Sequence, residues 1–281
     1  MKLLLRNDEL IDRSEAAISY LDRGYMFGDG VYEMIRVYGG VLFEPEAHYR
    51  RLERSLREVR LEPPYPTEQL DAQLKRLIRE EGLNKDGTIY MQITRGAAPR
   101  NHAFPAKAQP ELIAYVSELE RPYESMKQGI AVHTCPDIRW LRCDIKTLNL
   151  LPNVLAKQEA LDMGVQDVIF HREGMVTESS SSNVFVVRDG TLYTHQANNL
   201  ILHGITRMVV LQLARELNIP CVEEAVNLEH LREADEVFIS STSAEITPVV
   251  RVDGAAFGRG VPGPITRRLQ EAFQRRIDAL Q

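Results

Sequence analysis

Lys146 has the setting of a nucleophilic amine. Lysine is scarce in the chain, with seven lysines against 27 arginines, and Lys146 differs from the others by standing among apolar residues, in WLRCDIKTLNLLP. Apolar surroundings and the nearby Arg139 and Arg142 would lower the pKa of this amine, as a lysine that forms a Schiff base requires. The same pattern also fits a lysine whose stem packs while its head reaches solvent.

A second set of residues has the character of a phosphate site. His48 and Arg51 stand three residues apart and would share one helical face, where Arg51 can bind a phosphate through two parallel hydrogen bonds. The sequence HGIT at 203–206 places a glycine turn before a predicted helix, and the first N–H groups of a helix attract anions. Ser241 and Thr242 follow a predicted strand and would add hydroxyl groups. An exposed arginine face and an ordinary helix cap would give the same patterns.

Three further residues could recognise a charged small molecule. Glu178 precedes a run of four serines, and a carboxylate can hold a pyridinium nitrogen in its protonated form. Arg100 and His102 stand two residues apart in a long loop, where two cationic donors could clamp a carboxylate. An exposed acidic side chain and a mobile, solvent-facing loop are the alternatives for these residues.

The signatures of several other enzyme classes are missing. The chain has no GxGxxG followed by a helix pattern, no P-loop, no HExxH and no GxSxG. Its seven histidines are scattered, so no metal site is predicted, while a Ser-His-Asp site stays open. Asp29 and Glu33 are expected to form structural ion pairs with Arg23 or Arg36.

The composition and charge of the chain restrict the kinds of protein and partner that remain. With 281 residues, 44% hydrophobic and 26% charged, the chain can bury a core without disulfides. Each half, divided after residue 120, carries 17 basic and 20 acidic residues, which argues against nucleic acid or an anionic membrane as a partner. An odd number of cysteines without a CxxC pair and the lack of a long apolar run favour a cytoplasmic protein.

The elements that must position these residues alternate in type. Hydrophobic periodicity and turn residues predict hairpins, at Gly39-Gly40 and Asp189-Gly190 among others, mixed with helices that lack a regular βαβ alternation. This mixture indicates an α+β fold in two domains, a smaller one over 1–120 and a larger one over 121–281, with 118–129 as the linker. Helices are predicted over 46–60, from an N-cap at Thr67 to Gly82, over 153–163 and 205–217, and after Pro264.

Taken together, the segments carrying these residues resemble the fold-type IV pyridoxal-phosphate transaminases, and within them the D-amino-acid transaminases. The similarity spans nearly the whole chain in the order typical of the family. The matching segments are RGYMFGDGVYE (23–33), HYRRL (48–52), TRGAAPRNHAFP (94–105), DIRWLRCDIKTLNLL (137–151), AKQEA (156–160), VTESSSSNVF (176–185), LYTHQANNLILHGITR (192–207) and STSAEITPV (241–249).

The resemblance implies a role for each candidate residue. Lys146 would carry the cofactor and then move a proton between the substrate Cα and the cofactor C4′, while Glu178 would keep the pyridine nitrogen protonated. Arg51 would hold the phosphate, and the cofactor would be held between the two domains. The implied cofactor-binding residues are Lys146, Glu178, Arg51, Ile205, Thr206, Ser241 and Thr242.

The resemblance also implies a substrate and a partner. Tyr32, Arg100 and His102 would bind the substrate carboxylate, and Arg100 and His102 would reach the site of a neighbouring subunit, so a homodimer is expected. The Arg-x-His pair favours D-amino acids, such as D-alanine, with a 2-oxo acid such as 2-oxoglutarate as acceptor. The alternatives are a branched-chain aminotransferase, an (R)-selective amine transaminase, an aminodeoxychorismate lyase, a protein that binds the cofactor without catalysis, and a serine hydrolase.

One position departs from the family pattern. The serine run is usually preceded by glycine, as EGSSSN, but here it reads ESSSSN, with Ser179 in the glycine position. If that position requires a positive φ, Ser179 would cost about 1 kcal/mol of backbone strain.

Overall fold

The computed structural model describes residues 1–107, 109–257 and 260–280, which form two compact units. The first unit contains Met1–Glu120, Ile145–Asn149 and Leu280, and the second contains Arg121–Asp144 and Leu150–Ala279. The segment Ile145–Asn149, which carries Lys146, was assigned from the sequence to a domain over 121–281. The structure places it in the first unit instead.

The first unit is built on a six-stranded sheet with the strand order β2-β1-β6-β5-β3-β4. All its sheet pairings are antiparallel. Its elements are β1 (Leu3–Arg6), β2 (Glu9–Asp12), a 3-10 turn (Arg13–Glu15), α1 (Arg23–Phe27), β3 (Gly30–Tyr38), β4 (Val41–Leu42), α2 (Pro45–Glu58), α3 (Thr67–Glu80), β5 (Gly87–Thr94) and β6 (Glu111–Glu118).

The core of the first unit follows from the two periodicities of its sequence. In β3 every second residue faces α2, so that Val31, Ile35 and Val37 are fully buried with Leu52 and Leu56. The helix expected over 46–60 is α2, and the hairpin at Gly39-Gly40 is present, with positive φ at both glycines. The N-cap of α3 is Pro66 rather than Thr67, which is the first helical residue.

The Lys146 segment is held along β3 by backbone contacts. Thr147 forms an antiparallel bridge with Val31, and the Tyr32 N–H donates to the Lys146 carbonyl at 2.9 Å. The Ile145 side chain belongs to the hydrophobic core of the first unit. The position of Lys146 is therefore set by β3, although Lys146 stands 114 residues after Tyr32 in the sequence.

The second unit is a nine-stranded mixed sheet covered by helices. The strand order is β12-β11-β10-β13-β14-β7-β8-β9, with β15 on β14, and β9 returns to pair with β10 through Glu178 and Asn183, so the two strands meet. Its elements are α4 (Tyr123–Gln128), β7 (Ile130–Pro136), α5 (Leu151–Asp162), β8 (Asp167–Arg172), β9 (Met175–Ser179), β10 (Asn183–Arg188), β11 (Thr191–Thr194), α6 (Ile205–Glu216), β12 (Cys221–Glu223), α7 (Leu228–Arg232), β13 (Glu236–Ser241), β14 (Glu245–Val252), β15 (Ala255–Ala256) and α8 (Pro264–Asp278).

Turn chemistry in the second unit follows its sequence closely. Asp189 and Gly190 both have positive φ and connect β10 to β11, as expected of a two-residue hairpin. The stretch 118–129, expected to be a linker, instead contains the end of β6 and the short helix α4. Within the described ranges, no helix is long and apolar enough to cross a membrane.

Candidate functional site

The amine of Lys146 faces an aromatic ring in the first unit. Its Nζ lies 4.2 Å from the centroid of the Tyr32 ring, which stacks on Tyr90. The backbone N–H of Lys146 donates to Ser55 Oγ on α2 at 3.3 Å. No carboxylate or hydrogen-bond acceptor contacts the amine among the described residues, so it is available to a ligand. Arg139 and Arg142, which were expected to lower its pKa, are both bound to carboxylates of the second unit.

Arg51 is held by a buried carboxylate that sequence reasoning assigned elsewhere. Glu33 accepts from Arg51 Nε at 2.7 Å and from Arg51 Nη2 at 2.8 Å, and from His48 Nδ1 at 2.8 Å. The expected pairing of Glu33 with Arg23 or Arg36 is therefore wrong. Glu33 faces α2, whereas Arg36, three residues along β3, lies on the opposite face of the sheet.

The electrostatics of this trio follow from its burial. Burial alone would raise the pKa of the Glu33 carboxyl, but the Arg51 guanidinium and the His48 hydrogen bond hold it well below its usual range. Burial also lowers the pKa of His48, although Glu33 opposes the shift. Glu33 is thus charged at neutral pH, and it fixes the orientation of the guanidinium that the sequence assigns to a phosphate.

Arg100 and His102 are exposed and lie beside the same ring. The Arg100 guanidinium is 5.0 Å from the Phe27 ring centroid, and the His102 ring centroid is 5.5 Å from it. The loop that carries them is tied to α1, because Arg23 Nη1 donates to the Asn101 carbonyl at 2.5 Å. The expected Arg23–Asp29 ion pair is present at 2.7 Å. The loop is therefore an anchored segment, and its two cationic donors face solvent.

In the second unit, Glu178 lies at the end of a buried chain of charges. It accepts hydrogen bonds from Arg139, from the Leu202 N–H at 3.0 Å and from Asn183 Nδ2 at 3.3 Å. Asp137 binds the other side of the Arg139 guanidinium, at 2.9 and 2.7 Å. Burial raises the pKa of Glu178, although Arg139 opposes the shift. A buried carboxylate of this kind is stabilised by a further cation, such as a protonated ring nitrogen.

The start of α6 offers backbone donors. Gly204 caps the helix without a side-chain hydrogen bond, and no partner contacts the N–H groups of Ile205 and Thr206 within the described part of the chain. A Cβ at Gly204 would lie 2.0 Å from Asn183 Oδ1, so any larger residue there would displace that amide. Asn183 thus connects Glu178 to this turn, and holds a carboxylate and an anion-binding helix start at a fixed separation.

Two hydroxyl residues lie at the end of β13. Ser241 Oγ accepts from the Ala244 N–H at 3.1 Å, and Thr242 follows in the same turn. Both are partly exposed, so their hydroxyl groups can reach a bound phosphate.

The expected strain at Ser179 is absent. Ser179 ends β9 and is not among the residues with positive φ, so its backbone has no need of glycine. Its hydroxyl group is instead buried without a hydrogen-bond partner in the described structure. Serine is therefore unfavourable at this position because of its buried hydroxyl group, and not because of its backbone conformation.

The residues present fit pyridoxal phosphate. A reactive amine requires a lysine without a carboxylate partner, the phosphate requires a held guanidinium and bare N–H groups, and the ring nitrogen requires a buried carboxylate. Lys146, Arg51, the start of α6 and Glu178 provide these groups, although the first two lie in one unit and the last two in the other. Sequence reasoning missed Asp137, Asn183 and Phe27, although all three lie within the segments quoted for the resemblance.

Known proteins share both the sequence and the fold. The family model for amino-transferase class IV matches residues 30–252. The D-alanine aminotransferase of Staphylococcus aureus (strain MSSA476) is 49% identical over 280 residues, which covers 99% of each chain. That of Bacillus licheniformis is 46% identical over 277 residues, covering 99% of this chain and 97% of the relative.

Solved structures of branched-chain aminotransferases also match the chain. The Escherichia coli enzyme has a TM-score of 0.92 at 30% identity, covering 98% of this chain and 94% of its own. The Thermobaculum terrenum enzyme, solved in its PLP form, has a TM-score of 0.88 at 30% identity, covering all of this chain and 95% of its own. The expected α+β, fold-type IV architecture is thereby confirmed. By its matched range and its full-length relatives, the chain belongs to the class IV aminotransferases.

Proposed function

We propose that the chain is a pyridoxal-phosphate-dependent D-amino-acid transaminase, which transfers the amino group of a D-amino acid such as D-alanine to a 2-oxo acid such as 2-oxoglutarate. The observation that carries the proposal is the exposed pair of Arg100 and His102 on Phe27, in a chain with D-alanine aminotransferases as full-length relatives. The pair offers two cationic donors to a substrate carboxylate.

The residues that the resemblance assigns to the cofactor keep those roles in this proposal. When bound, pyridoxal phosphate supplies an aldehyde carbon that takes up amino groups and a ring that withdraws electrons from the substrate Cα. Glu178 would accept a hydrogen bond from the protonated ring nitrogen, with Arg139 favouring the ionised form of that carboxylate. Arg51, oriented by Glu33, and the first N–H groups of α6 bind the phosphate, with Ser241 and Thr242 adding hydroxyl groups.

The proton transfer is assigned to Lys146. Its amine would hold the cofactor and, once freed by the substrate amine, would carry a proton between the substrate Cα and C4′ of the cofactor. Tyr32, whose ring lies beside the amine, would form one wall of the substrate site, which Arg100 and His102 would reach from the neighbouring subunit. The position of the carboxylate relative to Lys146 decides which enantiomer presents its Cα proton to the amine.

We propose a homodimer in which Arg100 and His102 serve the neighbouring subunit. Both side chains are exposed and lack carboxylate partners in the described structure. Large apolar side chains are exposed in the same unit, with Tyr20 at 77% and Phe104 at 52% of their full area. Surfaces of this kind are typical of protein interfaces.

We also propose that the protein works in the cytoplasm. Cys135, Cys143 and Cys221 are all free thiols, which suits a reducing compartment.

The visible absorption spectrum of the purified protein tests the function. We expect a yellow band that D-alanine converts to that of the pyridoxamine form while L-leucine does not. Conversion by L-leucine alone would favour the second candidate, a branched-chain aminotransferase, which the similarity of the solved structures supports.

The Lys146→Ala variant should lose turnover, and normal turnover in that variant would contradict the assignment. A band without turnover would indicate a cofactor-binding protein.

A further inference from the structure

We propose that Phe27 is a specificity-determining positioning residue, whose ring holds Arg100 and His102 side by side as one binding site for the substrate carboxylate. This inference rests on the carboxylate-binding role proposed above for the two residues. It adds a residue that acts through them and decides how strongly the enzyme prefers amines that carry a carboxylate.

The Phe27 ring is the contact that the two charged side chains share. The Arg100 guanidinium carbon lies 5.0 Å from the ring centroid, and the His102 ring lies 5.5 Å away with its plane tilted by 47°. Within the ranges that the structure describes, neither side chain makes a hydrogen bond or an ion pair. Phe27 is therefore the neighbour that limits their rotamers.

The ring itself is firmly placed. Phe27 is the last residue of α1, which Asp22 caps and which ends at Gly28 with a φ of 65°. The Arg23 guanidinium lies 4.8 Å from the ring centroid and is bound to Asp29 at 2.7 Å. A helix with both ends capped and a fixed arginine against the ring leaves Phe27 little freedom.

The backbone of the charged pair is anchored to the same short helix. Arg23 donates to the carbonyl of Asn101, the residue between Arg100 and His102, at 2.5 Å. Arg95 also binds Asp29, at 2.9 Å, at the start of the loop. The backbone of the pair and the ring beneath it are thus attached to one structural element.

This arrangement prepares the pair for a planar anion. The face of an aromatic ring is negative and attracts the Arg100 guanidinium, while the ring–ring contact holds the His102 imidazole, so Phe27 keeps the two donors side by side. Side chains ordered before binding lose less freedom when the ligand arrives, so a carboxylate binds more tightly. An amine without a carboxylate gains nothing from Phe27.

The test compares Phe27→Leu, which removes the ring, with Phe27→Tyr, which keeps it, in the holoenzyme. We measure the inhibition constant of propionate, an unreactive carboxylate, and the KM and kcat for D-alanine. We expect Phe27→Leu to raise the inhibition constant and the KM by about three- to tenfold, with kcat changed far less. Phe27→Tyr should stay close to the parent enzyme.

Tyr123→Leu is the matched control, since it removes another exposed aromatic ring that contacts an arginine, Arg121, in the second unit. It should leave both constants unchanged. An unchanged inhibition constant in Phe27→Leu would overturn the proposal, as would an equal rise in Tyr123→Leu. If Phe27→Leu does not fold, Phe27→Met makes the same comparison.

A double-mutant cycle with Arg100→Ala separates a positioning role from a general structural one. If Phe27 acts through Arg100, Phe27→Leu should cost less in the Arg100→Ala background than in the parent. Full additivity would overturn the inference. If Arg100→Ala itself leaves propionate binding unchanged, the carboxylate role given under the proposed function is wrong, and this inference is overturned with it.

Discussion

The carboxylate of Glu33 accepts two hydrogen bonds from the guanidinium of Arg51, at 2.7 and 2.8 Å, with Glu33 fully buried and Arg51 only 7% exposed. The pair joins the middle of β3 to the middle of α2. The residue assigned to the phosphate is thus positioned by a charge within its own unit, before any ligand binds.

Glu33→Gln should destabilise the protein strongly. The variant keeps the shape of the side chain but leaves the Arg51 cation buried without its counter-charge, at a cost of about 3 kcal/mol in the free energy of unfolding. Denaturant unfolding at pH 7 measures this loss. The Glu80→Gln variant, at an exposed position on α3, should lie within about 0.5 kcal/mol of the parent.

The difference between Glu33→Gln and the parent should shrink in acid. The pKa of Glu33 is lowered in the folded protein, so its contribution to stability is complete above the ordinary value of 4.5 and is lost as pH falls below it. We expect the two unfolding free energies to approach each other from about pH 4.5 downward. A constant difference at every pH would show that the charge of Glu33 is not what stabilises the fold.

Arg139→Leu should make the activity more sensitive to acid, because the Glu178 carboxylate would be protonated at higher pH. Burial already raises the pKa of Glu178 and Arg139 opposes that shift, so without Arg139 the pKa rises further and less of the carboxylate is ionised at neutral pH. The acid limb of the kcat/KM profile for D-alanine should move to higher pH by about one unit. An acid limb that stays in place would contradict the role given to this ion pair.

The controls for Arg139→Leu separate the ionisation of Glu178 from damage to the fold. Arg139→Lys keeps the charge but loses the two-sided contact with Asp137 and Glu178, so its profile should lie between those of the parent and Arg139→Leu. Arg188→Leu breaks an exposed pair with Glu233, at 3.1 Å, and should leave the profile unchanged.

Gly204→Ala should weaken cofactor binding without straining the backbone. The φ of Gly204 is −63°, which alanine adopts freely, but the added Cβ would lie 2.0 Å from Asn183 Oδ1 and would displace that amide. Overpacking of this kind costs on the order of 1–3 kcal/mol, so the dissociation constant for pyridoxal phosphate should rise about tenfold. Fluorescence titration of the apoenzyme measures it.

Gly190→Ala is the matched control for that experiment. Gly190 has a φ of 74° and open space around its Cα, so alanine there strains the turn without touching the site. It should lower the free energy of unfolding by about 1 kcal/mol and leave cofactor affinity unchanged. An equal loss of affinity in both variants would mean that general destabilisation, and not the α6 turn, controls binding.

Local patterns predicted much of the fold. Dipeptides such as Asp189-Gly190 indicated their hairpins because positive φ at two consecutive residues is a local property, and α2 and α3 followed from apolar spacing. Short elements such as β12, α4 and α7 lack enough residues to show a period, so they were missed. The membership of the Lys146 segment in the first unit depends on its pairing with β3, and no local pattern records that contact.

The candidate site also combines features that local sequence patterns indicate with features that depend on contacts between distant segments. Residue type and setting singled out Lys146 and Arg51 as candidates. They did not indicate the partner of Arg51, because Glu33 is close to several arginines in sequence. The alternation of β3 carries the missing information, since it places Glu33 and Arg36 on opposite faces. The contacts of Phe27 with Arg100 and His102 join α1 to a distant loop, and sequence spacing alone gives no sign of them.

Ser179→Ala should stabilise the protein, and Ser179→Gly should not. The Ser179 hydroxyl is buried without a hydrogen-bond partner in the described structure, and removing such a group relieves about 1 kcal/mol of desolvation cost. Glycine also removes the hydroxyl but loses more backbone freedom on folding, by roughly 0.5–1 kcal/mol, at a position whose φ is not positive. Denaturant midpoints should therefore place alanine above glycine, and a more stable glycine variant would mean that the backbone at Ser179 is strained after all.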